Sequence, residues 1–231
     1  MVKNYPHNYP CQLISPVIKK ILSFIFPPRC VRCGLVGSFL CDNCLPQLTK
    51  SDGIIEDGII AAFDYHDPAV KKAIHYLKYR RIKDLTATLA NKIYETFLNT
   101  TGDELIFNRG NGKIIVVPVP LYRKRMRERG FNQAEELANL FCILDPENFE
   151  VKTDLIFKIK NTPPQAQQKK RVTRLKNLKN AFAIRKHPQI AGKIVVIIDD
   201  VATTGSTINE IKKILLKNGV RRIYAVVVAH G

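Results

Sequence analysis

Acidic side chains are scarce in this chain: 20 Asp and Glu stand against 37 Lys and Arg, leaving a formal charge of +17. Solubility does not need that excess, which points to a polyanionic partner such as nucleic acid or a phosphate-rich ligand. A long apolar run is also missing. The nearest approach, residues 13–26, is broken by Pro16, Lys19 and Lys20, is too short to cross a bilayer and lacks a small-residue cleavage site. No membrane span or signal peptide is expected, and the spacing of Ile14, Val17, Ile18, Ile21 and Ile25 predicts a short amphipathic helix. With no export signal the expected compartment is the cytoplasm, whose reducing poise argues against a disulfide framework for the six cysteines. Absent too are the phosphate loop GxxxxGK[ST], the dinucleotide fingerprint GxGxxG, internal repeats and low-complexity tracts. These absences exclude the two commonest nucleotide-binding loops and any solenoid.

What is present is unevenly placed. Residues 71–83 hold six basic side chains and no acid, residues 121–130 five against Glu128, and residues 152–193 twelve against Asp154. The basic character is therefore local. At 231 residues and 45% hydrophobic, the chain can bury one substantial core with a small appendage. Cysteines cluster before residue 45, and the polar run 49–58 reads as a linker, so the expected division is 1–50 and 51–231. Strands are predicted over 59–65, 114–117, 151–159, 194–198 and 223–228, and helices over 67–79, 85–98, 131–144 and 208–216. Strands alternating with helices imply an α/β fold with a parallel sheet. Residues 161–182 read as a solvated helix or a mobile loop.

The chemistry concentrates in VVIIDDVATTGST, residues 195–207. Four apolar residues form a strand buried on both faces, and Asp199 and Asp200 follow at its carboxyl end, where ligands bind in open α/β sheets. Thr203, Thr204, Gly205, Ser206 and Thr207 then open a helix. Their N–H groups and hydroxyls can surround a phosphate, and Gly205 allows close backbone approach. Carboxylates would repel a bare phosphate, but they accept hydrogen bonds from ribose hydroxyls, so the pairing suggests a ribose phosphate. The bland alternative is a capped helix beside two solvated aspartates. Cys30, Cys33, Cys41 and Cys44 form two CxxC pairs seven residues apart, a spacing that can close four thiolates around Zn2+ in a structural site. A redox pair or unliganded thiols is the alternative. Cys11 and Cys142 read as small apolar fillers, and His75, His187 and His230 show no partner spacing.

The string 195–207 resembles the phosphoribosyl-pyrophosphate (PRPP) signature of type I phosphoribosyltransferases, with Ala202 smaller than the branched residue more usual there. FPPRCVRCG from Phe26, LCDNCL from Leu40, AAFDY from Ala61, LKY from Leu77, VVPVPL from Val116, RERGFNQAEELA from Arg127, TPPQ from Thr162 and RLKNLKNAF from Arg174 narrow the resemblance to the ComF family. That family is associated with bacterial competence and DNA uptake. The resemblance implies a type I phosphoribosyltransferase-like parallel sheet flanked by helices, with a small N-terminal zinc-ribbon module. It implies that Asp199 and Asp200 hold the ribose hydroxyls, Thr203 to Thr207 the 5′-phosphate, and amides around Val119, Pro120 and Leu121 the pyrophosphate, with Mg2+ neutralising the leaving group. Residues 123–133 would be a mobile cover bringing Arg127 and Arg129 to the phosphates, with Lys78 adding a contact. Lys169, Lys170, Arg171, Arg174, Lys176 and Lys179 are the expected nucleic-acid contacts, touching backbone phosphate without reading bases. Two functions follow. One is a PRPP-binding protein that handles single-stranded DNA, with a competence helicase as partner. The other is an active phosphoribosyltransferase moving ribose 5-phosphate to a base or amine; no acceptor motif is visible.

Overall fold

The strand that reads most plainly in the sequence is also the centre of the sheet. Val195, Val196, Ile197 and Ile198 are fully buried, as a parallel strand with helices on both faces requires. The computed structural model describes residues 27–51, 54, 55, 58–102, 105, 112–162, 180–185 and 190–231. The expected helix within 13–26, Cys11, His187 and the basic side chains from Lys169 to Lys179 lie outside the described residues.

In chain order the elements are β1 (Ile54–Ile55), β2 (Ile59–Asp64), α1 (Pro68–Tyr79), α2 (Lys83–Thr101), β3 (Ile114–Pro118), α3 (Arg123–Arg129), α4 (Gln133–Leu144), β4 (Phe149–Val151), β5 (Ile156–Lys158), β6 (Phe182–Ile184), β7 (Ile194–Ala202), α5 (Ser206–Lys217) and β8 (Arg222–His230). The main sheet runs β1-β2-β8-β7-β3-β4. Its last five strands are mutually parallel, and β1 adds a short antiparallel edge. β5 and β6 form a separate antiparallel ribbon.

Strand alternation sorts the core into two layers. Val196 and Ile198 face a cluster with α1, α2 and α4, including Ile74, Leu77, Leu89, Ile93 and Phe141. Val195 and Ile197 face α5 through Ile208, Ile211 and Leu215, with Ile156 and Phe182 of the ribbon on the same side. Phe97, Phe141 and Phe149 meet edge to face at 5.1–6.0 Å in the first layer.

Helix starts follow local chemistry. Asp67 caps α1 by accepting from the N–H groups of Ala69 and Val70, with Pro68 in the first turn. Asn132 caps α4 through the Ala134 N–H, and Glu135 and Glu136 occupy its first turn.

Several boundaries differ from the sequence expectation. The predicted strand 151–159 is two short strands, because β4 pairs at the sheet edge and β5 departs to pair β6. The polar run 49–58 is not simply a linker. Residues 49–51 lie along β2, through hydrogen bonds from the Ser51 N–H to the Ala62 carbonyl and from the Asp64 N–H to the Thr49 carbonyl. β1 then pairs the same strand. The cysteine-bearing segment shares the first core layer, to which it contributes Cys30, Val31, Leu40, Cys44 and Leu48.

Candidate functional site

The site forms where β7 outlasts its neighbour. Pairing with β3 ends at Pro118 opposite Ile198, whereas pairing with β8 continues to Ala202 opposite His230. The strand therefore does not end before the aspartates, as expected, but carries both of them past the end of β3 with one edge open. Because side chains alternate along a strand, the adjacent carboxylates point to opposite faces rather than side by side.

Asp200 faces the α1 and α4 layer. It is 5% exposed, lies 3.4 Å from the Lys78 ammonium, and accepts a 2.8 Å hydrogen bond from Gln133 Nε2. Since the carboxylate takes the Gln133 N–H2 group, the amide oxygen is turned away, buried and without a partner among the described residues. Asp199 faces the ribbon and is half-buried. It accepts the Asp200 N–H at 2.8 Å. Burial and the neighbouring Asp200 charge push its carboxyl up to about 8, against the pull of that N–H and of Lys78 and Lys158. Lys158 in turn is lowered by burial, raised by Asp199 and lowered by Arg125, so its ammonium on β5 lies within electrostatic reach of both.

After Ala202 the chain turns through Thr203 and Thr204 to Gly205, which has φ 64 and precedes α5. A left-handed residue here favours glycine, and it brings no side chain to the helix entrance. Ser206 is buried, with its hydroxyl against that of Thr204, and the helix begins with the Asn209 N–H on the Gly205 carbonyl at 2.8 Å. The N–H groups of this first turn and the positive end of the helix dipole suit an anion.

The loop after β3 departs from expectation. The Val119 N–H is taken by the Ile198 carbonyl at 2.9 Å, and Pro120 has none to give, so only Leu121 of the three offers an amide outside the ladder. Asn132 fixes this loop by donating to the Val119 carbonyl at 3.1 Å while capping α4. Residues 123–129 are helical, and Gly130 at φ 77 ends α3. Arg127 and Arg129 lie on different faces of α3, since residues two apart do not share a helix face. Arg127 is exposed, and Arg129 is half-buried over the Tyr79 ring at 5.4 Å. Arg125, one turn from Arg129, is half-buried and close enough to Lys158 to lower it. Sequence reasoning missed Arg125, Lys158 and the positioning roles of Asn132 and Gln133. RGFNQ was the available signal for the last two, whereas nothing local marks Lys158.

The four sulfurs of Cys30, Cys33, Cys41 and Cys44 lie within 4.8 Å of one another. Those of Cys33 and Cys41 are 3.8 Å apart, which matches the edge of about 3.8 Å for a tetrahedron of thiolates around zinc at about 2.3 Å. Burial pushes the Cys30 thiol up, but the N–H groups of Cys41, Cys33 and Arg32 outweigh it and bring the thiol down to about 6. Such N–H groups are the outer hydrogen bonds that thiolate ligands accept. Burial holds Cys44 up at about 12. The cluster can bind a metal such as zinc. Cys142 is buried in α4, outside this cluster.

Besides the shared core, Asp67 ties the segment to the α/β domain. Asp67 accepts the Thr49 N–H at 3.0 Å and its hydroxyl at 3.2 Å while capping α1, and Phe39 meets Tyr76 edge to face. α1 thus connects the thiolate cluster to Lys78 at the site.

The phosphoribosyl transferase domain family matches residues 75–231. The DNA utilization protein YhgH of Salmonella typhi is similar to this chain, at 31% identity over 220 residues, covering 90% of this chain and 85% of that protein. Competence protein F of Haemophilus influenzae is 31% identical over 226 residues, covering 91% and 87% respectively. Among solved structures, hypoxanthine phosphoribosyltransferase from Trypanosoma cruzi aligns over 64% of each chain, with a TM-score of 0.40 and 11% identity. Among the described residues no helix is long and apolar enough to cross a membrane.

Proposed function

The chain belongs to the phosphoribosyl transferase domain family, in the ComF group of competence protein F and the DNA utilization proteins, and from that premise we propose that it binds PRPP and assists the handling of single-stranded DNA in natural transformation. The observation that carries the reading is the juxtaposition along β7 and α5: two carboxylates past the end of β3, followed five residues after Asp200 by Gly205 at the helix entrance. Asp199 and Asp200 would accept from the ribose hydroxyls, and the Thr203 to Thr207 turn would hold the 5′-phosphate. The Leu121 amide, Lys78, Arg125 and Arg129 would face the pyrophosphate. Mg2+, when bound with PRPP, would neutralise pyrophosphate charge; the carboxylate oxygens at the site are the hard donors it prefers. In the same reading Zn2+ occupies the four-cysteine cluster in a structural role, the compartment is the cytoplasm, and a competence helicase is the protein partner.

Calorimetric titration with PRPP and Mg2+ tests the assignment. The double variant Asp199→Asn, Asp200→Asn is expected to lose measurable affinity; unchanged affinity would contradict it.

A second reading, an active phosphoribosyltransferase, is favoured by one observation. The β5–β6 ribbon brings Lys158, whose ammonium lies 5.4 Å from the Phe182 ring, to the Asp199 side of the strand. That wall stands where an acceptor would meet the sugar. Release of pyrophosphate from PRPP offered with a panel of bases and amines separates enzyme from binder.

A further inference from the structure

We propose that the exposed face of α1, centred on Tyr79, is a docking surface for single-stranded nucleic acid beside the ribose phosphate site. The proposal rests on the DNA-handling part of the reading above and gives it a location. α1 buries Ala69, Val70, Ala73, Ile74 and Leu77, which leaves Lys71, Lys72, His75, Tyr79 and Arg80 exposed. Tyr79 is 60% exposed, so its ring contributes little to the core. His75, one turn earlier, lies against it with ring centroids 4.8 Å apart. Arg129 of α3 sits 5.4 Å from the Tyr79 ring, and Arg80 sits 4.2 Å from the neighbouring, partly buried Tyr76 ring.

Aromatic faces interleaved with guanidinium planes form a platform on which unpaired bases stack, whatever their sequence. The charged side chains of α1 itself are all basic. Among the described residues, Lys71, Lys72, Arg80 and Lys83 have no acidic partner, whereas Arg81 is paired with Glu136 and Lys78 with Asp200. An acidic peptide would use the cations but not the ring faces, and a duplex would keep its bases stacked inside. Both features are engaged together by a single strand whose phosphates run along the cations. Lys78 points inward to Asp200 from the same helical turn, so a strand stacked on Tyr79 passes the mouth of the sugar site. The basic residues 169–179 were the place where the sequence suggested nucleic acid, but that run lacks aromatic platforms; α1 supplies them, with Arg129 of α3 over the Tyr79 ring.

The test uses the full chain as purified, with fluorescence anisotropy of a labelled twenty-nucleotide oligothymidylate between low and moderate salt. Tyr79→Ala is expected to weaken binding about tenfold, the loss of one stacked base, while Tyr79→Phe stays close to the parent. The pair Lys72→Glu, Arg80→Glu is expected to weaken binding further and to flatten the dependence of log affinity on log salt by about 1.4, at roughly 0.7 per lost phosphate contact. Calorimetric affinity for PRPP with Mg2+ is expected to be unchanged in all three. Parent-like binding by Tyr79→Ala would overturn the surface, and loss confined to Lys169→Ala, Lys170→Ala, Arg171→Ala would place the contact in 163–179 instead. Equal loss on a duplex would overturn the stacking platform. A parent chain that binds no single strand would sink this proposal together with the DNA-handling reading, and the PRPP titration would still stand or fall separately.

Discussion

Replacing Asp199 by Asn should stabilise the protein while abolishing its ligand binding, and replacing Asp200 by Asn should destabilise it. The two residues are adjacent, but the strand places them in opposite electrostatic settings. The Asp199 carboxyl is raised from 3.8 to about 8, first by burial and then by the Asp200 charge. A folded-state value above the unfolded one means that the fold holds the proton more tightly. Stability is then fully present below the unfolded value and is lost as pH rises from about 4 through about 8. At pH 7 the ceiling on that penalty is about 4 kcal/mol, at about 1.4 kcal/mol per unit. Because Asp199 keeps partial contact with solvent, screening and relaxation reduce it to about 1–2 kcal/mol. In a domain of this size each kcal/mol moves the midpoint by about 2–4 °C, so Asp199→Asn should raise Tm by roughly 3–6 °C near pH 8 and by nothing near pH 4. Asp200→Asn instead weakens the contact with Lys78 and the hydrogen bond from Gln133, leaving a half-buried ammonium without its partner. It should lower Tm by an amount equivalent to about 1–3 kcal/mol. Thermal unfolding of the parent and both variants from pH 4 to pH 8.5, without ligand, checks the pair. A parallel Tm–pH curve for Asp199→Asn and the parent would refute the reasoning, as would shifts of the same sign for both variants.

Two further outcomes are expected. Asp67→Ala removes the α1 cap and both hydrogen bonds from Thr49, so chemical denaturation should show a loss of about 2–3 kcal/mol. Burial raises the Asp67 carboxyl, but the N–H groups of Thr49, Ala69 and Val70 lower it below the usual carboxylate range. Its stabilisation is therefore present above about pH 4 and lost in stronger acid, and the parent should lose more stability on acidification than Asp67→Ala. The purified chain should contain one zinc per molecule by elemental analysis. Cys33→Ser or Cys44→Ser should lower that content and reduce Tm, because the cluster packs on α1.

Local chemistry accounts for how much could be read in advance. Four consecutive β-branched residues before two acids can only be a strand buried on both faces, so the parallel α/β fold and the location of the site were legible in residues 195–207. The two CxxC pairs announced their cluster in the same way, since ligands to one metal must recur at short spacing.

Tertiary structure decided the rest, because it depends on which distant residues the sheet order brings together. That β7 runs past β3, so that Asp199 and Asp200 face opposite layers, is a property of strand lengths in space. That Lys158 acts on one acid, while Lys78 and Gln133 hold the other, follows from the ribbon and α1 packing on opposite faces. That the Val119 amide is consumed by the ladder, and that Tyr79 stands exposed beneath Arg129 of α3, likewise required the partners to be placed. Charge and hydrogen bonding act over a few ångströms of space, and sequence distance does not record them.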